Sequence, residues 1–140
     1  MSNLFDLTGH TALITGAAGL LGPKHAEAIL ECGGNVIISD RDYEKAKRVT
    51  HALNEKYSDR RASAEYMDVT DRGSIDKVVR SYETIDILIN NAAKDPKVKK
   101  EAGLTPESRF EVMTEEYWAE GIDAIINGTF LCSQVVSNKM

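Results

Sequence analysis

Short apolar runs alternate with amphipathic stretches along this chain. The apolar runs predict buried strands at residues 10–15, 35–39, 63–67 and 85–89. Helical spacing of apolar side chains predicts helices at residues 22–32, 43–57, 74–82 and 122–136. Strands that alternate with helical crossovers imply a parallel sheet with helices on both faces, and right-handed crossovers restrict it to a doubly wound sheet. The pattern therefore predicts an α/β fold with about four strands.

Residues that favour helix ends mark several of these boundaries. Pro23 suits the first turn of the first helix, and Gly33 is predicted to end that helix. Ser74 is a candidate N-cap for the third helix, and Thr114 is a candidate N-cap for a further one. No repeat or linker divides the chain, so residues 1–140 are predicted to form a single domain.

Composition and charge narrow the functional classes. The 140 residues are 42% hydrophobic and 28% charged, which is typical of a soluble globular protein. A formal net charge of -5 leaves no basic surplus for nucleic acid. No apolar run is long enough to span a membrane, and the N-terminus does not resemble a secretory signal. We therefore expect a cytoplasmic protein that binds neither nucleic acid nor membranes.

The cysteines and histidines predict no special chemistry. Cys32 and Cys132 fall in predicted helices and are expected to be buried thiols rather than a disulfide. His10, His25 and His51 lack the spacing of metal ligands, so no metal site is predicted.

A glycine-rich turn, TGAAGLLG at residues 15–22, joins the first predicted strand to the first predicted helix. The free amides of a helix N-terminus favour an anion, and a diphosphate is the natural ligand of such a turn. In this interpretation Gly16 allows the tight turn, Gly19 lets the phosphates approach the backbone, and Gly22 lets the helix pack closely. Leu21 lies in the same turn and is a further candidate for cofactor binding. The alternative is a tight turn that binds no ligand.

Asp40, at the end of the second predicted strand, supports a dinucleotide ligand. A carboxylate at this place accepts hydrogen bonds from the adenosine ribose hydroxyls and repels a 2′-phosphate, which favours NAD over NADP. The neighbouring Arg41 weakens that preference, because an arginine can hold the 2′-phosphate. The alternative for Asp40 is a helix cap or an ordinary turn residue.

Small or polar residues follow all four predicted strands. Gly16, Asp40, Asp68 and Asn90 each stand at the end of one strand. The carboxyl ends of parallel strands meet at one edge, and open α/β sheets bind ligands there. These residues are therefore predicted to surround a single ligand site, although loops are polar in any case.

Four segments together resemble the short-chain dehydrogenase/reductase family, namely LTGHTALITGAAGLLG, MDVTD, IDILINNAA and GTFLCSQVV. The resemblance implies a single-domain Rossmann sheet that binds NAD or NADP, and association into dimers or tetramers. It also implies hydride transfer between nicotinamide and an alcohol or carbonyl substrate. By the same resemblance, Asp68 bonds the adenine amino group, Val69 contacts the ring, and Asn90 helps to fix the central strand. Ala92 is implied to lie close to the ribose.

Three departures from the family pattern bear on function. The middle glycine is Gly19, whereas single-domain members have a glycine one position later, so a shifted phosphate-binding turn is expected. Ile125 stands where the family has its catalytic asparagine, and the nearby Asn127 is not taken as a substitute. The family's Tyr-x-x-x-Lys pair belongs after the fourth helix, whereas Tyr43 and Lys47 open the second helix. We therefore predict no catalytic residue.

The resemblance thus implies the cofactor-binding portion of an oxidoreductase, with an incomplete Rossmann-type sheet that lacks the later strands of the family. This portion is expected to be inactive alone, and its bare fourth strand favours a homo-oligomer. The segment at residues 94–113 is longer than the corresponding segment of most relatives. It is predicted to be either a loop insertion that shapes substrate access or a solvated loop. The alternative function is a non-catalytic nucleotide-binding or self-association module.

Overall fold

The computed structural model describes residues 4–58, 61–94 and 109–140, and a four-stranded sheet forms its centre. The strands are β1 (Thr11–Thr15), β2 (Asn35–Asp40), β3 (Ala62–Tyr66) and β4 (Ile87–Ile89). They lie in the order β3-β2-β1-β4, and each neighbouring pair is parallel. This arrangement confirms the predicted α/β fold of the Rossmann type.

The described residues also contain five α-helices. They are α1 (Gly22–Glu31), α2 (Tyr43–Lys56), α3 (Arg72–Arg80), α4 (Glu115–Ile122) and α5 (Gly128–Val136). A 3₁₀ turn spans Phe110–Val112, and a π-helical segment, Asp123–Asn127, joins α4 to α5. None of these described helices is both long and apolar enough to cross a lipid bilayer.

Side chains on β1 alternate between the two faces of the sheet and enter two separate cores. Ala12 and Ile14 are fully buried in the first core, which α1 and α2 cover. Leu13 is fully buried in the second core, which α3 and α5 cover. Helices therefore cover both faces of the sheet, as the alternation of apolar runs and amphipathic stretches predicted.

Several helix ends lie where the sequence placed them. Pro23 occupies the first turn of α1, and Gly33 follows that helix with a φ of 88°, a conformation that favours glycine. Thr114 caps α4, because its side chain accepts a hydrogen bond from the Tyr117 amide at 3.2 Å.

The N-cap predicted for α3 is wrong. Asp71 caps this helix, because its carboxylate accepts a hydrogen bond from the Gly73 amide at 2.9 Å. The Ser74 hydroxyl instead accepts a hydrogen bond from the Asp68 amide at 2.9 Å. The earlier carboxylate therefore starts the helix sooner, and the serine ties the helix to the chain that follows β3.

The helix predicted after Thr114 and the helix predicted at residues 122–136 form one continuous helical stretch at the C-terminal end of the described residues. It begins at Glu115, directly after the predicted cap, and the π-helical segment joins α4 to α5. Large apolar side chains are exposed along this stretch; they are Trp118, Ile122, Ile125, Ile126 and Phe130.

The strand predicted at residues 85–89 is shorter in the structure. Ile85 is fully buried, but the ladder to β1 begins at Ile87. Asp86 joins the two strands before that point, because its amide donates to the Thr11 carbonyl oxygen at 2.9 Å. Its carboxylate also accepts a hydrogen bond from the Thr11 amide at 2.8 Å. β4 forms one edge of the described sheet.

The two cysteines differ in burial. Cys132 is fully buried in α5, and burial raises the pKa of its thiol to about 11. Cys32 lies just beyond α1 and is only half-buried. The expectation of two buried thiols is therefore right for Cys132 alone.

Candidate functional site

The strand order places a cleft at the carboxyl end of β1. Because the chain crosses from β3 to β4 on the far side of β1, the strand order reverses at this point, and open α/β sheets bind ligands where it reverses. A cleft of about 940 Å³ opens there. Ligand and cofactor pockets span roughly 300–1,000 Å³, so both the position and the size suit a cofactor.

Most of the residues predicted to bind a cofactor line this cleft; they are Gly16, Gly19, Leu21, Asp40, Arg41, Asp68, Val69 and Ala92. Gly22 and Asn90 are not among its lining residues. The tertiary structure thus brings the ends of all four strands to one place.

Backbone packing explains two of the three glycines in residues 16–22, which we call the glycine turn. Gly16 has a φ of 58°, and a Cβ built on it would lie 2.7 Å from the Cα of Ala92. A Cβ on Gly22 would lie 2.2 Å from the carbonyl oxygen of Ala17. Neither position has room for a side chain, which agrees with a tight turn at Gly16 and close packing at Gly22.

Gly19 differs from the other two glycines, because internal packing does not require it. A Cβ on Gly19 would meet only the carbonyl oxygen of Gly16, at 3.2 Å, and Gly19 lines the cleft. Leu20, where the family has its glycine, is 92% exposed. Because Gly19 has no side chain, a ligand can occupy the space in front of its backbone.

The amides of the glycine turn fall into two groups. Those of residues 17–19 are hydrogen-bonded to protein oxygens, and these belong to Ser39, Asp40 and Gly16. Within the part of the chain that the structure describes, the amides of Leu20 and Leu21 have no partner. Both residues line the cleft just before α1, where the helix dipole adds positive potential. Unpaired amides at a helix N-terminus suit a phosphate group.

Backbone amides hold both oxygens of the Asp40 carboxylate. Oδ2 accepts a hydrogen bond from the Ala18 amide and Oδ1 accepts one from the Asp42 amide, each at 3.0 Å. Asp42 rather than Asp40 caps α2, because its carboxylate accepts a hydrogen bond from the Lys45 amide at 2.9 Å. Each carboxylate oxygen of Asp40 keeps a further lone pair with which it can accept a ligand hydroxyl.

Two cations stand beside these carboxylates. The Nη1 atom of Arg41 lies 3.7 Å from Oδ2 of Asp68, which places the guanidinium between the ends of β2 and β3. Lys45 also lines the cleft, from the first turn of α2. Their charges offset part of the negative charge of the aspartates at this end of the cleft.

Hydrogen bonds keep Asp68 in its charged form. Burial works to raise the pKa of its carboxyl, but the hydroxyl and amide of Thr70, together with the Arg41 guanidinium, outweigh burial and lower that pKa. The Oδ1 atom of Asp68 accepts hydrogen bonds from the Thr70 hydroxyl at 2.7 Å and from the Thr70 amide at 2.9 Å. The stability that Asp68 contributes is present above the carboxyl pKa of the unfolded chain. It is lost as the pH falls through the lowered pKa of the folded protein.

The Thr70→Val substitution is expected to raise the pKa of Asp68 toward the ordinary value of about 3.9, because it removes the hydroxyl that stabilises the carboxylate. A carbon NMR titration of the Asp68 carboxyl measures the shift directly. Thr70→Ser keeps a hydroxyl and serves as the matched control, for which the pKa should stay low. An unchanged pKa in Thr70→Val would contradict the role of this hydrogen bond.

Asn91, rather than Asn90, joins the end of β4 to the end of β1. Its side-chain amide donates to the carbonyl oxygens of Thr15 and Gly16, each at 3.0 Å. The Thr15 hydroxyl in turn accepts hydrogen bonds from the amides of Asn91 and Ala92, at 3.0 and 2.9 Å. The side chain of Asn90 donates to the Ser133 hydroxyl of α5 at 3.1 Å.

Sequence reasoning missed several of these residues. Thr15 had a detectable signal, because it is a polar residue at the end of an otherwise apolar strand. Lys94 and Tyr117 also line the cleft, and the Lys94 ammonium lies 4.4 Å from the centre of the Tyr117 ring. Lys94 also pairs with Glu120. No local pattern marks the contact between Lys94 and Tyr117, because the two residues are distant in sequence.

The residues weighed for catalysis are not among those that line the cleft. Asn127 donates its side-chain amide to the Asp123 carboxylate one helical turn earlier, at 2.9 Å. Ile125 is 43% exposed and does not line the cleft, although Ala124 does. Tyr43 and Lys47 contact each other on α2, with the ammonium 5.1 Å from the ring centre.

The loop insertion predicted at residues 94–113 lies mostly outside the described residues. The structure describes only Lys94 and residues 109–113 of it, and the latter contain the 3₁₀ turn. The effect of this segment on substrate access stays a prediction.

The sequence matches one protein family over nearly its whole length. A sequence model of the short chain dehydrogenase family matches residues 10–140. The NAD-dependent glycerol dehydrogenase of Listeria innocua is 31% identical to this chain over 140 residues, which cover 97% of the chain and 49% of that enzyme.

Solved structures show the same fold. A gluconate 5-dehydrogenase from Burkholderia cenocepacia, in complex with NADP and tartrate, is 26% identical with a TM-score of 0.75, over 96% of this chain and 49% of that one. A 3-ketoacyl-(acyl-carrier-protein) reductase from Brucella melitensis, complexed with NADH, is 25% identical with a TM-score of 0.75, over 96% of this chain and 51% of that one. The chain spans about half the length of these relatives.

Proposed function

This chain belongs to the short chain dehydrogenase family, and from that membership we propose that it binds NAD in the cleft as the cofactor-binding part of an oxidoreductase. The observation that carries the proposal is the glycine turn. There, the bare backbone of Gly19 lies beside the unpaired amides of Leu20 and Leu21. These groups suit a pyrophosphate, which needs close approach to the backbone and several hydrogen-bond donors.

The other candidate residues have separate roles in this proposal. Asp40 accepts hydrogen bonds from the adenosine ribose, and Asp68 and Val69 contact the adenine. Ala92 lies near the ribose, while Gly22 acts by allowing close packing. The relatives named above bind or depend on NAD, NADH or NADP, which supports a nicotinamide dinucleotide as the ligand.

The carboxylate of Asp40 makes NAD the preferred cofactor in this proposal, because it repels a 2′-phosphate. Arg41 moderates the preference, so weaker binding of NADP is part of the proposal.

Asn90 stabilises the edge of the cleft without lining it, through the hydrogen bond from its side chain to Ser133 on α5.

The reaction proposed for the whole protein is hydride transfer to or from a small alcohol or carbonyl compound. When bound, the nicotinamide accepts or donates the hydride. The residues described here bind and orient the dinucleotide, and we assign none of them to proton transfer. A cytoplasmic location and association into a homo-oligomer complete the proposal.

Titration calorimetry with NAD and NADP tests the cofactor assignment. We expect saturable binding of NAD with a dissociation constant below about 1 mM, a binding free energy better than about −4 kcal/mol, and weaker binding of NADP. Nicotinamide riboside lacks the pyrophosphate and is the control ligand, for which binding should be far weaker. The proposal fails if neither dinucleotide saturates the protein.

A non-catalytic module that associates with itself is the second candidate. The exposed apolar side chains of the C-terminal helical stretch favour it, since exposed apolar surface is typical of an interaction site. Turnover of a small alcohol with NAD, by any form of the protein that contains this chain, would exclude a purely non-catalytic role.

A further inference from the structure

The end of β2 is attached to the glycine turn by consecutive hydrogen bonds. The Ala17 amide donates to the Ser39 carbonyl oxygen at 2.9 Å, and the Ala18 amide donates to Oδ2 of Asp40 at 3.0 Å. The buried Ser39 hydroxyl donates to the carbonyl oxygen of Ile14, at the end of β1, at 2.8 Å. Only one of these attachments, that of Asp40, depends on an ionised side chain.

These bonds determine which amides remain for a ligand. The amides of residues 17–19 are all used within the protein. The next two amides, those of Leu20 and Leu21, have no partner among the described residues. Without the Asp40 carboxylate, the Ala18 amide would be released. The turn between Ala17 and Leu20 would then lose one of its hydrogen bonds, so the amides of Leu20 and Leu21 would be held less firmly.

We infer that Asp40 is a positioning residue, whose carboxylate holds the glycine turn in the conformation that presents the Leu20 and Leu21 amides to the pyrophosphate. The inference rests on the nucleotide binding proposed above and adds to the ribose contact. The second oxygen of Asp40 accepts the Asp42 amide at 3.0 Å, which fixes the orientation of the carboxylate. The same carboxylate therefore acts on two parts of the dinucleotide, directly on the ribose and through Ala18 on the phosphates.

Two ligands separate these roles, namely ADP and 2′,3′-dideoxy-ADP, which has the diphosphate but no ribose hydroxyls. A carboxylate that acts only on the ribose is irrelevant to the dideoxy ligand. If Asp40 positions the turn, Asp40→Ala should weaken the binding of both ligands, and the dideoxy ligand by about tenfold, the equivalent of one charge-assisted hydrogen bond. Asp40→Asn keeps one oxygen acceptor, which can serve the Ala18 amide, but places an NH2 group against the Asp42 amide, so it should restore only part of the affinity for the dideoxy ligand.

Asp42→Asn is the matched control. It removes a neighbouring carboxylate from the same cleft but keeps a side-chain oxygen for the Lys45 amide. We expect it to leave the binding of both ligands within about twofold of the original protein, since no bond to the glycine turn changes. A loss as large as that of Asp40→Ala would mean that changing a carboxylate with no bond to Ala18 has the same effect, and would overturn the inference.

Hydrogen exchange of single amides tests the same bond without a ligand. In Asp40→Ala the Ala18 amide should exchange at least about tenfold faster, whereas the Ala17 amide, bonded to the Ser39 carbonyl, should change little. Unchanged exchange at Ala18, or unchanged affinity of Asp40→Ala for the dideoxy ligand, would overturn the inference. The proposed function fails separately, if the original protein binds neither ADP nor NAD.

Discussion

The Gly22→Ala substitution is expected to destabilise the fold by about 3 kcal/mol, the largest effect that we predict for a single methyl group. The added Cβ would lie 2.2 Å from the Ala17 carbonyl oxygen and 2.5 Å from the Ala17 Cα. Both atoms belong to the backbone, and Ala17 is itself fully buried, so α1 has to move away from the turn. Denaturation in urea, followed by circular dichroism, measures the loss of unfolding free energy.

Gly19→Ala is the matched control for this prediction. Its Cβ would meet only the Gly16 carbonyl oxygen at 3.2 Å, so the fold should lose less than about 1 kcal/mol. The same methyl group enters the space proposed for the pyrophosphate, so NAD binding should weaken by at least about tenfold, or 1.4 kcal/mol. Equal loss of stability in both variants would contradict the different roles of the two glycines.

Thr15→Val is expected to destabilise the protein by about 2 kcal/mol, because it leaves two partly buried backbone amides without an acceptor. The Thr15 hydroxyl accepts hydrogen bonds from the backbone amides of Asn91 and Ala92. Thr15 itself is only 1% exposed. Valine has nearly the same shape as threonine, so the loss comes from hydrogen bonding rather than from a cavity. Urea denaturation measures this change as well.

Thr15→Ser retains the hydroxyl and is the control for Thr15→Val. We expect it to lose only the contribution of one methyl group, about 1 kcal/mol. The Asn91 and Ala92 amides should also exchange with solvent faster in the valine variant alone. If the valine variant were as stable as the original protein, the bonds from Asn91 and Ala92 would carry no net stabilisation.

Short-range patterns were sufficient to predict most of the fold. Ala12, Leu13 and Ile14 form an apolar run between turn residues, and all three are fully buried in β1. The errors lie at element ends. At the start of α3 the carboxylate of Asp71 competes with the hydroxyl of Ser74 for the capping position, and the sequence does not show which one wins.

The site could be predicted in part, because strand ends identify an edge but not the direction of each side chain. Gly16, Asp40 and Asp68 line the cleft at the ends of three different strands. After β4 ends, the regular alternation of side chains no longer applies, so the roles of Asn90 and Asn91 could not be told apart. The cofactor-binding roles of individual residues stay predictions.

The sequence by itself determined the order of strands and helices and the place of the glycine turn. Hydrophobic periodicity, glycine conformation and helix capping each act over a few neighbouring residues, so a single chain reveals them. Only the tertiary structure decided which distant atoms meet, such as the Asp40 carboxylate with the Ala18 amide and the Asn91 amide with the Thr15 carbonyl. These contacts join residues that are 22 and 76 positions apart, and they follow from the pairing of β1 with β2 and β4, which no local pattern encodes.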